Sequence, residues 1–400
     1  MLTADQLLTE LLERACSLTA TETIATETAL GRILAVAEIS TLNVPPLDNS
    51  AMDGYAVRAA ECRIDGFLPV SQRILAGQIG EPLQNGSAAR IFTGAPVPEG
   101  ADAVIMQEHC RAEGNTVQLL SSVQKGENIR RAGEDIVEGD TILERGTRLH
   151  AAHMGLAASV GRAGLTVFRR LKVASFSTGD ELAQPGSALK AGQIYNSNRY
   201  TLSGLIQALG CEWIDLGAVP DTLSATITAL QRATMLADVI ISSGGVSVGE
   251  ADHIKAAVAQ IGVIELWKVA MKPGKPLAYG RIDNTDFIGL PGNPVSAFTT
   301  FCLFTRPFLL KRMGATHVLP INYPVRAATA WPRAGSRREF LRARIQQSDS
   351  GEPEALIYPQ QGSGVLASVV WANGFVDLPA GQTIALGDSV RFIPFSEVTQ

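Results

Sequence analysis

The sequence predicts a multi-domain chain: a doubly wound, mostly parallel α/β unit, preceded by a β-rich insertion and followed by a small β-barrel or sandwich. Three observations predict this. Between 169 and 318, strand-length apolar runs alternate with segments whose apolar residues recur at helical spacing. Residues 48–142 and 319–400 instead carry short β-type runs punctuated by Gly and Pro. The length of 400 residues is too great for one ordinary core. The expected division is 1–47 together with 143–168, then 48–142, 169–318 and 319–400.

Composition narrows the class. The net charge of −5 speaks against a general nucleic-acid binder. Cysteines 16, 62, 110, 211 and 302 form no CxxC pair, which fits reduced thiols in a cytoplasmic protein rather than a disulfide framework or a zinc site. The first residues lack the basic and apolar regions of a signal peptide, so none is expected. The most apolar long segment, 293–313, is interrupted by Arg306 and opens with Asn-Pro, so it reads as a buried helix and not a membrane span.

In chain order, Thr3 with Gln6 makes a capping-box pattern, and Leu8, Leu11, Leu12 and Ala15 mark a helix to about Ser17. A second helix is expected over Ala29 to Ala35, then an extended linker from Leu42 to Leu47 through Pro45 and Pro46. Asp48 to Arg58 packs carboxylates, an amide and a hydroxyl into a short run and then turns into a strand. This is either turn chemistry or a polar patch shown to a ligand or partner subunit. Strands are expected at Leu68–Ile74, Ala88–Thr93, Ala103–Gln107 and Thr116–Leu120. Arg130 and Arg131 precede Glu134 and Asp135; arginine forks suit phosphate, and a solvated charged loop is the alternative. Ala151 to Ser159 reads as a helix and Gly161 to Arg170 as a strand.

The α/β unit begins with a buried strand, Leu171–Ser177, that ends in Thr178-Gly179-Asp180-Glu181. Asn198 is expected to cap a helix faced by Leu202, Leu205, Ile206 and Leu209. Strand Glu212–Val219 leads to Asp221 and a helix from Thr222 to Met235. Strand Ala237–Ile241 leads to the turn around Ser243, Gly244 and Gly245, with a helix after Asp252. Such a turn aims backbone N–H groups at an anion. Glu250 and Asp252 would weaken anion binding, so they read either as N-capping carboxylates or as ligands to a divalent cation that accompanies the anion. Strand Ile264–Ala270 precedes Lys272 and Lys275, and Leu277–Arg281 with Asp286–Leu290 reads as a hairpin. Pro291 leads to a final helix with Asn293 at N-cap, Pro294 at N1 and Ser296 in the first turn. Beyond 319, strands are expected at Tyr323–Ala328, Arg338–Gln346, Ala355–Pro359, Gly374–Leu378 and Ser389–Pro394, with Trp331 and Trp371 in the core.

Thr178–Glu181, Asp221, Ser242–Asp252, Lys268–Lys275 and Pro291–Ser296 all fall at one sheet edge, beyond the strand ends where such sheets bind ligands. The edge offers Glu181, Asp221, Glu250 and Asp252 with Lys268, Lys272 and Lys275, but no cysteine, and His253 falls on the following helix. This speaks against triad nucleophiles and soft-metal ligation. It suits phosphate chemistry with a hard cation such as Mg²⁺. Neither the GxxxxGK[ST] nor the GxGxxG spacing is present. Residue chemistry alone reaches a phosphorylated or adenylylated small molecule, with a second anion.

Several motifs together resemble one family: Asp48–Arg58, Thr93–Glu99 with 101–108, Asn128–Ile136, Ser177–Leu182, Gly244–Asp252, Met271–Pro276 and Leu290–Ala297. The chain resembles the MoeA family of molybdopterin molybdenumtransferases, related to the gephyrin E domain, from its first helix to Phe395. Leu47 stands where an aromatic is common, a minor departure. The resemblance implies an α/β domain of molybdopterin-binding type. It also implies insertion of molybdenum from molybdate into adenylylated molybdopterin with release of AMP, and an elongated homodimer with each active site shared between subunits. On that reading Asp53, Asp135, Glu181, Asp221, Asp252, Lys268, Lys272 and Lys275 are catalytic, and Glu181, Asp221 and Asp252 hold Mg²⁺ or orient water. Thr93, Arg130, Thr178, Ser243, Gly244, Gly245, Pro291, Asn293, Pro294 and Ser296 bind substrate. Transient docking to the molybdopterin adenylyltransferase and to cofactor-accepting apoenzymes is compatible with that role, whereas nucleic acid and membrane are not expected. An adenylyltransferase would match residues 171–316 only, and a pure scaffold would not need acidic turns at the sheet edge.

Overall fold

The computed structural model describes residues 1–245 and 253–399. Helix α1 (Ala4–Arg14) starts on the expected capping box: Gln6 N donates to Thr3 Oγ1 and Thr3 N donates to Gln6 Oε1. Its Leu7 and Leu11 are fully buried.

The N-terminal part then builds strands β1 (Thr21–Ala25), β2 (Glu38–Ile39), β3 (Asn49–Ser50), β4 (Gly54–Val57), β5 (Phe67–Ile74) and β6 (Ala88–Ile91). It continues with β7 (Ala103–Met106), β8 (Cys110–Glu113), β9 (Thr116–Leu119), β10 (Ile129–Arg130), β11 (Thr141–Leu143), helix α2 (Ala151–Ser159) and β12 (Gly164–Phe168). Six of these strands form one sheet in the order β7-β4-β6-β5-β9-β8, so the insertion is β-rich as the sequence predicts. Short ribbons β1–β12, β2–β11 and β3–β10 tie its flanks together.

The helix expected over 29–35 does not form. Gly31 adopts φ +74°, and Ile33 and Leu34 pair in extended conformation with Arg148 and Val167. Tertiary pairing of β-branched and apolar side chains overrides the helical spacing there.

The α/β unit follows: β13 (Lys172–Thr178), the ribbon β14 (Leu182–Ala183) with β15 (Ile194–Tyr195), α3 (Ser197–Ala208), β16 (Glu212–Val219), α4 (Leu223–Leu236) and β17 (Val239–Ser243). Then come α5 (His253–Ile261), β18 (Val263–Lys268), β19 (Met271–Lys272), β20 (Pro276–Ile282), β21 (Thr285–Leu290), α6 (Pro294–Thr300) and, after one π-helical turn at Phe301–Thr305, α7 (Arg306–Arg312). The sheet order is β16-β13-β17-β21-β20-β18, with β16, β13, β17 and β21 parallel and β20 antiparallel between β21 and β18. The 294–312 segment is buried almost throughout, as its apolar composition requires. Among the described residues no helix is long and apolar enough to cross a membrane.

The C-terminal part contains β22 (Tyr323–Ala327), β23 (Arg338–Gln347), β24 (Pro353–Ile357), α8 (Ala367–Trp371), β25 (Gly374–Leu378) and β26 (Ser389–Pro394). The order β23-β24-β22-β26-β25, closed by β25 on β23, is a five-stranded barrel. Trp331 packs part-buried against the barrel core, while Trp371 lies edge-on to Tyr358. Strand β19 lies outside the α/β sheet and pairs in parallel with β23. One continuous apolar cluster joins α1, α3 and α7 to Phe340 and Phe375 of the barrel, so the two units share a core.

Candidate active site

A cavity of about 960 Å³ opens at the carboxyl edge of the α/β sheet. Its position follows from topology. The ends of β16, β13, β17 and β21 deliver Asp221, Thr178, Ser243 and Pro291 to one edge, and β20, running the other way, brings Lys272 and Lys275 there from its start. Glu181, Gly244, Gly245, Asn293, Pro294 and Ser296 also line it. Twelve of the α/β positions expected at a site, Asp221 among them, therefore line one cavity.

The central turn is shaped by close approach. Gly244 has φ +91°, and a Cβ there would meet the Thr178 carbonyl oxygen at 2.9 Å. Gly245 has φ +66°, and its Cβ would lie 2.9 Å from Thr178 Oγ1. Only glycine tolerates both constraints. The expectation that the Gly244 N–H binds anion needs correction, because it donates to the Leu290 carbonyl at 3.1 Å and continues the β17–β21 ladder. Glu250 and Asp252 lie outside the described residues.

Asn293 caps α6 with Pro294 at N1, and its side chain makes no capping hydrogen bond, which leaves the amide to the cavity. The cap of α3 is Asn196, not Asn198: its side chain accepts from Arg199 N. Asn198, in the first turn, donates to Ser243 Oγ and to the Gly292 carbonyl, both at 2.7 Å. It thereby holds the β17 turn and the β21 turn together. Both asparagines line the cavity. The sequence shows two short amides in one run but not which of them caps.

Charge is distributed unevenly. Glu181 and Asp221 have no ion-pair partner among the described residues, and Asp180 Oδ1 accepts from Asp221 N at 3.4 Å. Two uncompensated carboxylates in one cavity are a donor set that fits a hard divalent cation. No group of three or more His, Cys, Asp or Glu that could hold a metal occurs among the described residues. On the opposite side Lys275 is exposed, while Lys272 Nζ sits 3.3 Å from the buried carboxylate of Glu339, which neutralises part of its charge. Lys268 ends β18 at the same edge but does not line the cavity.

The C-terminal barrel contributes a wall that the sequence reading missed: Arg337 and the turn Gln361-Gly362-Ser363-Gly364. Arg337 is oriented by donation to the Met271 carbonyl at 3.2 Å. The run of small and amide residues at 360–364 was the available signal, but it lies far in sequence from the sheet edge.

Asp53, Thr93, Arg130 and Asp135 do not line this cavity. They are carried by the N-terminal part. Thr93 donates to Asp53 Oδ1 through both N, at 2.8 Å, and Oγ1, at 2.7 Å. Those two bonds hold the Asp53 carboxyl below the ordinary carboxylate range, with a smaller contribution from Arg90. Strand β3 brings Arg130 close, because Arg130 pairs opposite Asn49 and Ser50 N donates to Ala95 O beside the Thr93 turn. Asp48 grips Arg131 at 2.6 Å and Ala132 N at 2.8 Å. The backbone bond from Ala132, with Arg131 behind it, keeps the Asp48 carboxyl low despite some burial.

Three family descriptions cover almost the whole chain: "MoeA N-terminal region (domain I and II)" over residues 2–161, "Probable molybdopterin binding domain" over 174–311 and "MoeA C-terminal region (domain IV)" over 324–395. A molybdopterin molybdenumtransferase from Haemophilus influenzae is 41% identical over 402 residues, spanning 100% of both chains. The chain belongs to the MoeA family. Another member, a molybdopterin molybdenumtransferase from a Nostoc species, is 37% identical over 374 residues, covering 91% of this chain and 86% of the relative. The crystal structure of a molybdopterin biosynthesis MoeA protein from Pyrococcus horikoshii superposes with a TM-score of 0.86 at 28% identity, over 98% of this chain and 100% of that one. Membership of MoeA accounts for the architecture: a β-rich N-terminal region, a molybdopterin-binding α/β unit and a closed barrel.

Proposed function

We propose that this MoeA member inserts molybdenum from molybdate into adenylylated molybdopterin, with hydrolysis of the phosphoanhydride and release of AMP, the final step of molybdenum cofactor biosynthesis. The observation that carries the reading is one cavity with two kinds of anion-handling surface, the turn at Ser243 and Gly245 and the Lys272–Lys275 run backed by Arg337. One such surface would serve a phosphohydrolase. Two support a second anion that must be present when the phosphoanhydride breaks. Like charges brought together repel by about 4 kcal/mol per unit pair at about 4 Å and an effective dielectric of about 20. Lys275 and Arg337, with Lys272 attenuated by Glu339, offset that repulsion; Lys268 adds a more distant positive charge at the same edge.

Glu181 and Asp221, with Asp252, would hold Mg²⁺, which when bound screens the phosphoanhydride oxygens. Ser243 and the backbone around Gly245 hold a phosphate oxygen, and Thr178 buttresses the glycines. Pro291, Asn293, Pro294 and Ser296 close the β21 side.

Asp53, Thr93, Arg130 and Asp135 enter the reading through a homodimer in which the N-terminal patch of one subunit meets the cavity of the other. What supports this is that the four residues are polar and none lines their own chain's cavity, that Arg130 pairs with β3 and Thr93 holds Asp53, and that Asp135 N donates to the Val44 carbonyl in the segment leading to β3. The proposed functional division remains 1–47 with 143–168, 48–142, 169–318 and 319–400. The proposed location is the cytoplasm, with transient docking to the adenylyltransferase and to recipient apoenzymes.

The test is AMP release from adenylylated molybdopterin in enzyme cleared of bound oxyanion. Release is expected to need a divalent cation and to rise sharply with molybdate, while sulfate fails to substitute. Lys272→Ala is expected to weaken the molybdate response more than binding of the pterin nucleotide. Equal AMP release with and without molybdate would leave a hydrolase in place of an insertase.

A further inference from the structure

Strand β6 runs out into Phe92 and Thr93, and its register sets Arg90 between Tyr55 of β4 and Arg73 of β5. Partners across a ladder share a face, and so do residues two apart along a strand, so these side chains crowd one side of the sheet. The Arg90 guanidinium lies 5.1 Å from the centre of the Tyr55 ring and 4.7 Å from that of Phe92, while Arg73 lies over Phe92 at 4.8 Å. Ring faces attract cations at this range. The two arginines differ in what else they hold. Among the described residues Arg73 makes no hydrogen bond or ion pair. Arg90 Nη1 donates to the Gly54 carbonyl at 3.1 Å, and Nη2 donates to Gln107 Oε1 at 2.6 Å.

Those contacts surround a residue that Arg90 does not itself bond. Asp53 directly precedes Gly54, and Gln107 N donates to the Asp53 carbonyl at 3.0 Å. The Asp53 carboxylate is held at Oδ1 by Thr93, which directly follows Phe92. One guanidinium thus grips the peptide after Asp53 and the residue whose N–H fastens the Asp53 carbonyl. It also lies on the ring next to the donor of the Asp53 carboxylate. Arginine suits this place because its planar fork bonds in two directions while its flat face stacks; lysine supplies charge without fork or face.

We infer that Arg90 is the positioning residue for the Asp53–Thr93 pair, fixing where the carboxylate points. The inference rests on the reading of Asp53 as catalytic. Its test is kcat and KM for AMP release by the full chain, with Tm for each variant. Arg90→Met, which keeps an apolar stem between the rings, should lower kcat by about 10- to 100-fold with little change in KM. Arg90→Lys should not restore the rate, and it carries the same test should Arg90→Met fail to fold. Arg73→Met, which removes the other cation from Phe92, should keep the wild-type rate. Arg90→Met and Thr93→Val should together cost less than the product of their separate losses, because both displace one carboxylate. A wild-type rate in Arg90→Lys would reduce Arg90 to a charge and overturn the inference. So would a loss confined to KM, an equal loss in Arg73→Met, or losses that multiply fully. Amide exchange at Thr93, whose N–H the carboxylate holds, reads the geometry without turnover: it should quicken in Arg90→Met and not in Arg73→Met. Quickened exchange beside an Asp53→Ala chain that still turns over would support the grip while refuting the catalytic reading of Asp53. An inactive Asp53→Ala beside a normal Arg90→Met refutes the positioning role alone.

Discussion

At the residue scale the cavity depends on positions where only one side chain works. Gly244 combines a left-handed backbone with a Thr178 carbonyl 2.9 Å from where a Cβ would sit. Gly244→Ala is expected to destabilise the fold by roughly 1–2 kcal/mol from the backbone alone. Because the turn must move, turnover should fall by about 100-fold. Urea denaturation and AMP-release assays on the same preparation check both; unchanged turnover would remove the turn from the site. This position was legible because paired glycines between a strand and a helix have few other uses. Asn198 was only half legible. Its residue type announced a cap, but a cap two residues earlier left it free to bridge Ser243 and Gly292. Arg337 was not legible at all, since its place in the cavity depends on how a barrel packs against a sheet, and that packing has no local signal.

At the element scale, α2 starts on an unusual cap. His150 Nδ1 accepts from Ala152 N at 3.3 Å, His153 Nδ1 accepts from His150 N at 3.2 Å, and the rings lie tilted by 37° with centroids 3.6 Å apart. Protonation at Nδ1 removes the acceptor from either bond. Burial, and then the neighbouring His150, push the His153 imidazole below its ordinary value of 6.5. The folded state therefore prefers the neutral ring. The stability it contributes is present above pH 6.5, is lost as pH falls through that value, and levels off below the folded pKa. Between about pH 7.5 and about pH 5.5 wild type should lose more Tm than His153→Gln, which keeps an acceptor; the difference should correspond to about 1 kcal/mol, the worth of a cap. Parallel Tm profiles would refute this. The helix expected over 151–159 forms, whereas the one expected over 29–35 does not. Helical spacing reports only that one face is apolar, while Gly31 and the strands waiting to pair with Ile33 and Leu34 decided the backbone.

At the scale of the whole molecule, the polar patch around β3 and the cavity occupy different parts of one chain. If each needs the other, two defective chains can repair one another. Asp53→Ala and Lys272→Ala subunits, each nearly inactive alone, should regain up to about a quarter of wild-type activity when mixed and allowed to exchange, since one of the two sites in a mixed dimer is intact. Verified exchange without recovery would rule out a shared site, and light scattering gives the accompanying mass. Architecture at this scale was largely legible, because alternating strands and helices and Gly- and Pro-punctuated strands each favour one layer arrangement. The order of strands β20 and β18 was less so, as a hairpin return in a parallel sheet leaves the hydrophobic pattern unchanged.

Strand β19 carries Lys272, yet it is hydrogen-bonded to the barrel strand β23, and Lys272 is also paired with Glu339 of that strand. The lysine thus takes its bearings from the barrel although the chain places it in the α/β unit. Where that positive charge lies relative to the glycine turn, which belongs to the sheet, is therefore set by how the barrel is seated on the α/β unit. A chimera that exchanges barrels between relatives would have to exchange 271–272 with them. A chain cut after 318 would lose the fixed end of its anion grip and uncover the core it shares with the barrel, beginning at Phe298, which packs on Phe375.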